Sequence, residues 1–84
     1  MQARSASALL RLRERLDITR EDIVRRSHVS VATVRNAEKG SKITRRSALQ
    51  ILHAVNSHLR ERNQPEVALD DLGFVVEEEF RSVS

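Results

Sequence analysis

The chain has no cysteine, tryptophan or tyrosine, one proline, two glycines and two phenylalanines. Without cysteine there is neither a disulfide framework nor a thiolate metal site, so stability must come from the packing of secondary structure. With so few glycines and prolines, the good helix formers that dominate the rest meet few breakers, which predicts an all-helical body. The longest apolar stretches, such as Ala8-Leu9-Leu10 and Phe74-Val75-Val76, are cut by charge far short of the ~20 residues a membrane span needs. The opening Met1-Gln2-Ala3-Arg4-Ser5 lacks the apolar core of a secretory signal, so a cytoplasmic protein with no membrane partner is expected. Low-complexity linkers and internal repeats are also missing. A length of 84 residues suits one hydrophobic core and excludes a multidomain enzyme.

Catalytic and metal-binding patterns are missing as well. His53 and His58 are five positions apart, whereas helical ligands share a face at three or four, and no HExxH or cysteine accompanies them. Gly40 and Gly73 make no phosphate loop, no serine has a placed His/Asp pair, and Glu77-Glu78-Glu79 reads as a charge run rather than an acid/base pair. The expectation is a protein that is not an enzyme and needs no cofactor and no metal.

What the chain does have is charge, unevenly spread. The net charge is +3, but residues 1–62 carry 14 Lys/Arg against 6 Asp/Glu, giving +8, while residues 63–84 carry Arg81 against 6 acids, giving −5. A basic body favours a polyanionic partner through counterion release. The division expected is a basic domain over 1–64 and an acidic C-terminal segment over 65–84.

Leu9, Leu12 and Leu16 recur at helical spacing and predict a first helix over about 6–16, with Ser5 or Ser7 as its cap. The next three starts share one device. Ile18-Thr19, Val29-Ser30 and Ile43-Thr44 each set an apolar residue before a hydroxyl N-cap, and apolar Ile23, Val34 and Ala48 follow four residues after the cap as a hydrophobic staple. Thr19 with Asp22 resembles a capping box. Helices are therefore predicted over 20–27, 31–39 and 45–61, the last with a stripe of Ala48, Leu52, Val55 and Leu59 widened by Leu49 and Ile51. Gly40 falls where a left-handed C-cap is wanted. Only His28-Val29-Ser30 separate the second and third helices, so these must turn sharply on each other, the arrangement of a helix-turn-helix.

Thr19 to Gly40, TREDIVRRSHVSVATVRNAEKG, resembles the phage-repressor-like (Xre) helix-turn-helix family without a gap. Ile23 and Val34 stand at its buried aliphatic positions, Ser30 caps the third helix, and Glu38 and Gly40 match its closing Glu-x-Gly. The resemblance extends over about residues 8–59. Two positions depart from the pattern: Val24 stands where alanine is usual, and His28 where the turn glycine is usual. Histidine is nonetheless among the residues enriched at positive φ.

The resemblance implies a compact four- or five-helix bundle of the lambda-repressor-like type with a short C-terminal tail. It also implies an ion pair between Arg13 and Glu38, and a transcriptional regulator, in the main a repressor, that binds double-stranded DNA as a homodimer. In such folds the third helix enters the major groove and the second crosses the phosphate backbone. With Val34 and Ala37 buried, the opposite face carries Val31, Ala32, Arg35, Asn36 and Lys39. Arginine can pair with guanine and asparagine with adenine through two bonds each, and small apolar side chains touch thymine methyls. Base reading is thus assigned to Val31, Ala32, Arg35 and Asn36. Phosphate contacts are assigned to Arg20, Ser30, Thr33, Lys39, Lys42, Arg45 and Arg46.

After Pro65 the character changes, and Leu69-Asp70-Asp71-Leu72-Gly73 is read as a short turn of helix. Both phenylalanines lie beyond it, and a small domain rarely leaves its only aromatics in water. Phe74, Val76 and Phe80 are therefore expected either to fold back on the fourth helix or to form a dimer contact. The alternative function is that of an antitoxin or protein-interaction adaptor, with a protein partner held through the C-terminal segment.

Overall fold

Hydroxyl side chains set where three of the helices begin. The computed structural model describes residues 8–77 and gives the order α1 (Ala8–Leu16), α2 (Arg20–Ser27), α3 (Val31–Lys39), α4 (Arg45–Glu61) and α5 (Leu69–Leu72). The oxygens of Thr19, Ser30 and Thr44 each accept at 3.1 Å from the backbone N–H three residues on, at Asp22, Thr33 and Ser47. Thr19 N–H in turn donates to Asp22 Oδ2 at 2.8 Å, completing the capping box. Each cap satisfies a donor that the helix leaves open, and the staple residues Ile18, Ile23, Val29, Val34, Ile43 and Ala48 are all buried. The start expected for the first helix, with its cap at Ser5 or Ser7, lies outside the described residues.

The scarcity of glycine shows at the other ends. Chain reversal after a helix favours one left-handed residue, and only α3 and α5 have a glycine there, Gly40 and Gly73. After α1, α2 and α4 the left-handed position is taken by Asp17 (φ 60°), His28 (φ 64°) and Asn63 (φ 55°). These residue types tolerate that region better than most. The closing bonds form all the same: Ile18 N–H donates to Arg13 O at 3.1 Å, Ser41 N–H to Asn36 O at 2.9 Å and Gln64 N–H to Leu59 O at 2.9 Å.

One core holds the five helices together: Leu9, Leu12 and Leu16 from α1, Ile23 from α2, Val34 and Ala37 from α3, Ala48, Ile51, Ala54, Val55 and Leu59 from α4, and Leu72 from α5. Val24, at the position where the family resemblance expects alanine, is accommodated half-buried against it. The α4 stripe is rotated from the one expected. Ala54 and His58 are buried, Leu52 is half-buried and Leu49 is 41% exposed. One step past Ala48 turns a side chain ~100° round the helix, which carries Leu49 off the face that Ala48, Ile51 and Val55 share.

The most extensive helix contact is α2 against α4, and polar latches reinforce it. Arg26 Nη1 donates to Ser57 Oγ at 2.8 Å, and Arg26 Nη2 lies 3.0 Å from Glu61 Oε2. The Asn56 amide donates to Val67 O at 3.0 Å and accepts from Val67 N–H at 2.8 Å, pinning the chain that leads to α5 onto α4. From there Leu72 inserts fully into the core, and Phe74 and Val76 pack half-buried against it. Phe74 and Val76 thus fold inward, and Phe80 lies outside the described residues. An isolated parallel bridge joins Ile43 to Val76, with Ile43 N–H donating to Val75 O at 3.0 Å and Glu77 N–H to Ile43 O at 2.7 Å. Among the described residues there is no strand, and no helix is long and apolar enough to cross a membrane.

Candidate nucleic-acid interface

The turn between α2 and α3 is held by backbone and side-chain bonds of its own. His28 N–H donates to Val24 O at 3.0 Å, buried Ser27 accepts from Val29 N–H through its hydroxyl at 3.3 Å, and Val29 is buried. The angle between the two helices is thereby fixed by packing.

On α3 the sides divide as the spacing implied. Val34, Ala37 and Glu38 face inward. Ala32, Arg35 and Lys39 are exposed, and Val31, Thr33 and Asn36 are half-buried at the flanks. Arg35, Asn36 and Lys39 make no side-chain hydrogen bond or ion pair to the described residues, so their donors remain open to a ligand. Ser30 Oγ and Thr33 Oγ1 stand 2.9 Å apart while Ser30 Oγ accepts from Thr33 N–H, which leaves one hydroxyl proton of the pair uncommitted.

The buried charge on α3 is tied twice. Arg13 Nε donates to Glu38 Oε2 at 2.8 Å and Arg13 Nη1 donates to Ile18 O at 3.3 Å, so the expected ion pair is present. Arg20 Nε also donates to Glu38 Oε1 at 3.0 Å. The Glu38 side chain is 4% exposed, against 15% for Arg13 and 38% for Arg20. Arg20, read from sequence as a phosphate contact, thus spends part of its guanidinium inside the protein. Its position three residues before buried Ile23, on the inward side of α2, is the signal that could have shown this. Two cations share this one carboxylate, while the first turn of α2 adds Glu21 and Asp22 beside them.

Lys39, Lys42, Arg45 and Arg46 are all exposed, and none forms an ion pair with a described residue. They follow one another from the end of α3 into the first turn of α4, a turn that has no acidic residue. A positive helix terminus carrying unpaired cations is suited to anions. Next to it, an open cleft of about 440 Å³ between the end of α2 and α4 is lined by Arg26, Ser27, His28, Arg46, Leu49, Gln50 and His53.

Sequence reasoning considered His58 only as a metal ligand, and the fold gives it a different setting. It is 5% exposed, its Nε2 faces Asp22 O at 3.4 Å, and its Nδ1 is buried without a partner. Burial holds its pKa below the ordinary 6.5, and Arg26 and Arg62 add to the effect, against the Asp22 carbonyl and Glu61. Neutral His58 then donates from Nε2 to Asp22 O. The Asp22 carboxyl is held below its usual value chiefly by the Thr19 backbone N–H, with the Thr19 hydroxyl, Arg25 and His58 helping against partial desolvation. No group of described residues is arranged to hold a metal ion.

No protein-family model matches the chain, and neither a curated protein nor a solved structure does.

Proposed function

We propose that the protein is a sequence-specific regulator that binds double-stranded DNA, in the main as a repressor of the phage-repressor-like (Xre) helix-turn-helix kind, and that α3 enters the major groove. One observation carries this reading. The outward face of α3 presents Ala32, Arg35, Asn36 and Lys39 with no polar side-chain partner among the described residues, on a helix whose inward face is anchored by Val34, Ala37 and the doubly bonded Glu38. Donors that are held rigidly yet left open suit recognition of base edges.

Arg35 reads guanine and Asn36 adenine, each through two bonds, while Val31 and Ala32 meet thymine methyls. Lys39, Lys42, Arg45 and Arg46, with the spare hydroxyl of the Ser30/Thr33 pair, grip the phosphates on either side and set the register without reading sequence. Arg20 serves first as a partner of Glu38 and only second as a phosphate contact. A homodimer on two half-sites gathers the affinity that one short helix lacks. A cytoplasmic location is part of this proposal.

A second reading, an antitoxin or adaptor, finds its support in Leu49 and Val75, the large apolar side chains left exposed among the described residues, at 41% and 44%. Selection of bound duplexes from a random pool decides between them. The DNA reading requires an enriched sequence whose affinity falls steeply with salt. A pool that stays random, with a protein partner still captured by an Arg35→Ala/Asn36→Ala variant, overturns it.

A further inference from the structure

One face of α4 borders a cleft instead of the core. Arg46, Leu49, Gln50 and His53 stand at i, i+3, i+4 and i+7, the spacing that gathers side chains on a single side of a helix, while Ala48, Ile51 and Val55 turn into the core. The end of α2 stands across from this face and completes the cleft of about 440 Å³. That size falls within the range of small-molecule sites. Arg46, Gln50, His28 and His53 make no side-chain hydrogen bond or ion pair to a described residue, whereas Arg26 is already tied to Ser57 and Glu61. Among the described residues no acid lines the cleft.

The lining thus combines an apolar side chain, Leu49, with an uncompensated guanidinium and open amide and imidazole donors. An inorganic anion satisfies Arg46 and leaves Leu49 in water. A neutral apolar molecule covers Leu49 and desolvates Arg46 without a partner, which is costly. An organic anion does both: its carboxylate takes two parallel bonds from Arg46, and its apolar body lies on Leu49 and the aliphatic stems of Arg26 and Gln50. The seven lining residues are too few for a stable protein interface, which takes about 20–30 on each side.

We propose that this cleft binds a small carboxylate with an aromatic-sized apolar body and, resting on the DNA reading above, that its occupation weakens DNA binding. Arg46 belongs both to the cleft and to the proposed phosphate cluster, so a guanidinium engaged by the carboxylate is lost to phosphate. By linkage, a duplex that engages Arg46 lowers the affinity for the carboxylate by the same factor.

The chain has no tryptophan or tyrosine, so the fluorescence of 2-naphthoate can be followed without interference from the protein. The parent is titrated with 2-naphthoate and with the neutral 2-naphthamide, beside Arg46→Gln, Leu49→Gln and Arg25→Gln. All three positions are exposed, so the core is unchanged, and Arg25 lies outside the cleft. The expected result is saturable binding of 2-naphthoate, weakened about tenfold by Arg46→Gln and about fivefold by Leu49→Gln, unchanged in Arg25→Gln, with 2-naphthamide bound far less tightly. With 2-naphthoate at saturation, the parent's affinity for a mixed-sequence duplex is expected to fall about tenfold, and that of Arg46→Gln to stay as it was. Absence of saturable 2-naphthoate binding, equal binding of the amide, or an equal loss in Arg25→Gln overturns the site. Duplex affinity that ignores bound 2-naphthoate overturns the coupling while the DNA reading stands. A parent that binds 2-naphthoate but no duplex at the lowest salt overturns the DNA reading and the coupling, and bears out the site.

Discussion

Arg20, the first residue of α2, donates from Nε to Glu38 Oε1 at 3.0 Å and so ties the start of that helix to the end of α3. Glu38 takes its second arginine, Arg13, from α1. Three helices thus converge on one carboxylate, and the orientation of α3 depends on it.

Glu38→Ala leaves two arginines facing a buried site with no anion. Loss of one partner from a buried pair costs about 3–5 kcal/mol, whereas a partly exposed pair is worth ~0–1 kcal/mol. Urea denaturation is expected to show a large drop in midpoint for Glu38→Ala, a smaller one for Arg13→Ala, and the least for Arg20→Ala. A Glu38→Ala midpoint equal to that of the parent refutes the clamp.

His28 sits at φ 64° in the tight turn between α2 and α3. A left-handed residue other than glycine costs roughly 1–2 kcal/mol, partly offset by the extra unfolded-state freedom of glycine. His28→Gly should raise stability by up to about 1 kcal/mol, and His28→Val should lower it, since β-branched side chains tolerate positive φ worst. Paired thermal melts of the two variants check this, and a rise for His28→Val is the contrary outcome.

Buried His58 makes stability depend on pH. Its folded pKa lies below the unfolded 6.5, so as pH falls the unfolded chain takes the proton first. Its contribution is therefore whole above about pH 6.5 and is lost as pH falls through the depressed folded value. Denaturation midpoints between pH 8 and 5 should decline on the acid side, and His58→Leu should flatten that part of the curve. A variant with the parent's full acid dependence assigns the effect to other groups.

At the proposed DNA surface, reading and gripping separate by their response to sequence and salt. Arg35→Ala should cost ~1–3 kcal/mol at the preferred site and relax discrimination at one base pair. Arg46→Ala should weaken all duplexes alike and reduce the salt slope by ~1. Titrations on matched and single-mismatch duplexes distinguish the two. Uniform weakening by Arg35→Ala reassigns that residue to the phosphates.

Phe74 and Val76 pack half-buried against the core, and the Ile43–Val76 bridge holds them there. A chain ending at Gly73 loses this cover and should melt at a lower temperature; sedimentation of the same protein shows whether the segment also supports a dimer. An unchanged melting curve and mass would mark the segment as dispensable to both.

The sequence by itself determined the helices and their ends. An N-cap, a staple or a left-handed C-cap involves residues within about five positions of one another, so Thr19, Ser30, Thr44 and Gly40 could act before any tertiary contact formed. The outward face of α3 was legible for the same reason, because periodicity alone separates Arg35 and Asn36 from Val34 and Ala37. What only the tertiary structure decided are the contacts made across long stretches of chain. Arg20 meets Glu38, Arg26 meets Ser57, His58 is buried against Asp22, and Val76 bridges Ile43. No local pattern names the partner in any of these pairs, since each depends on how far the helices rotate and slide as they close on the common core. The rotation of α4 turned Leu49 outward and His58 inward, and the Ile43–Val76 bridge set Val76 beside the entrance to α4.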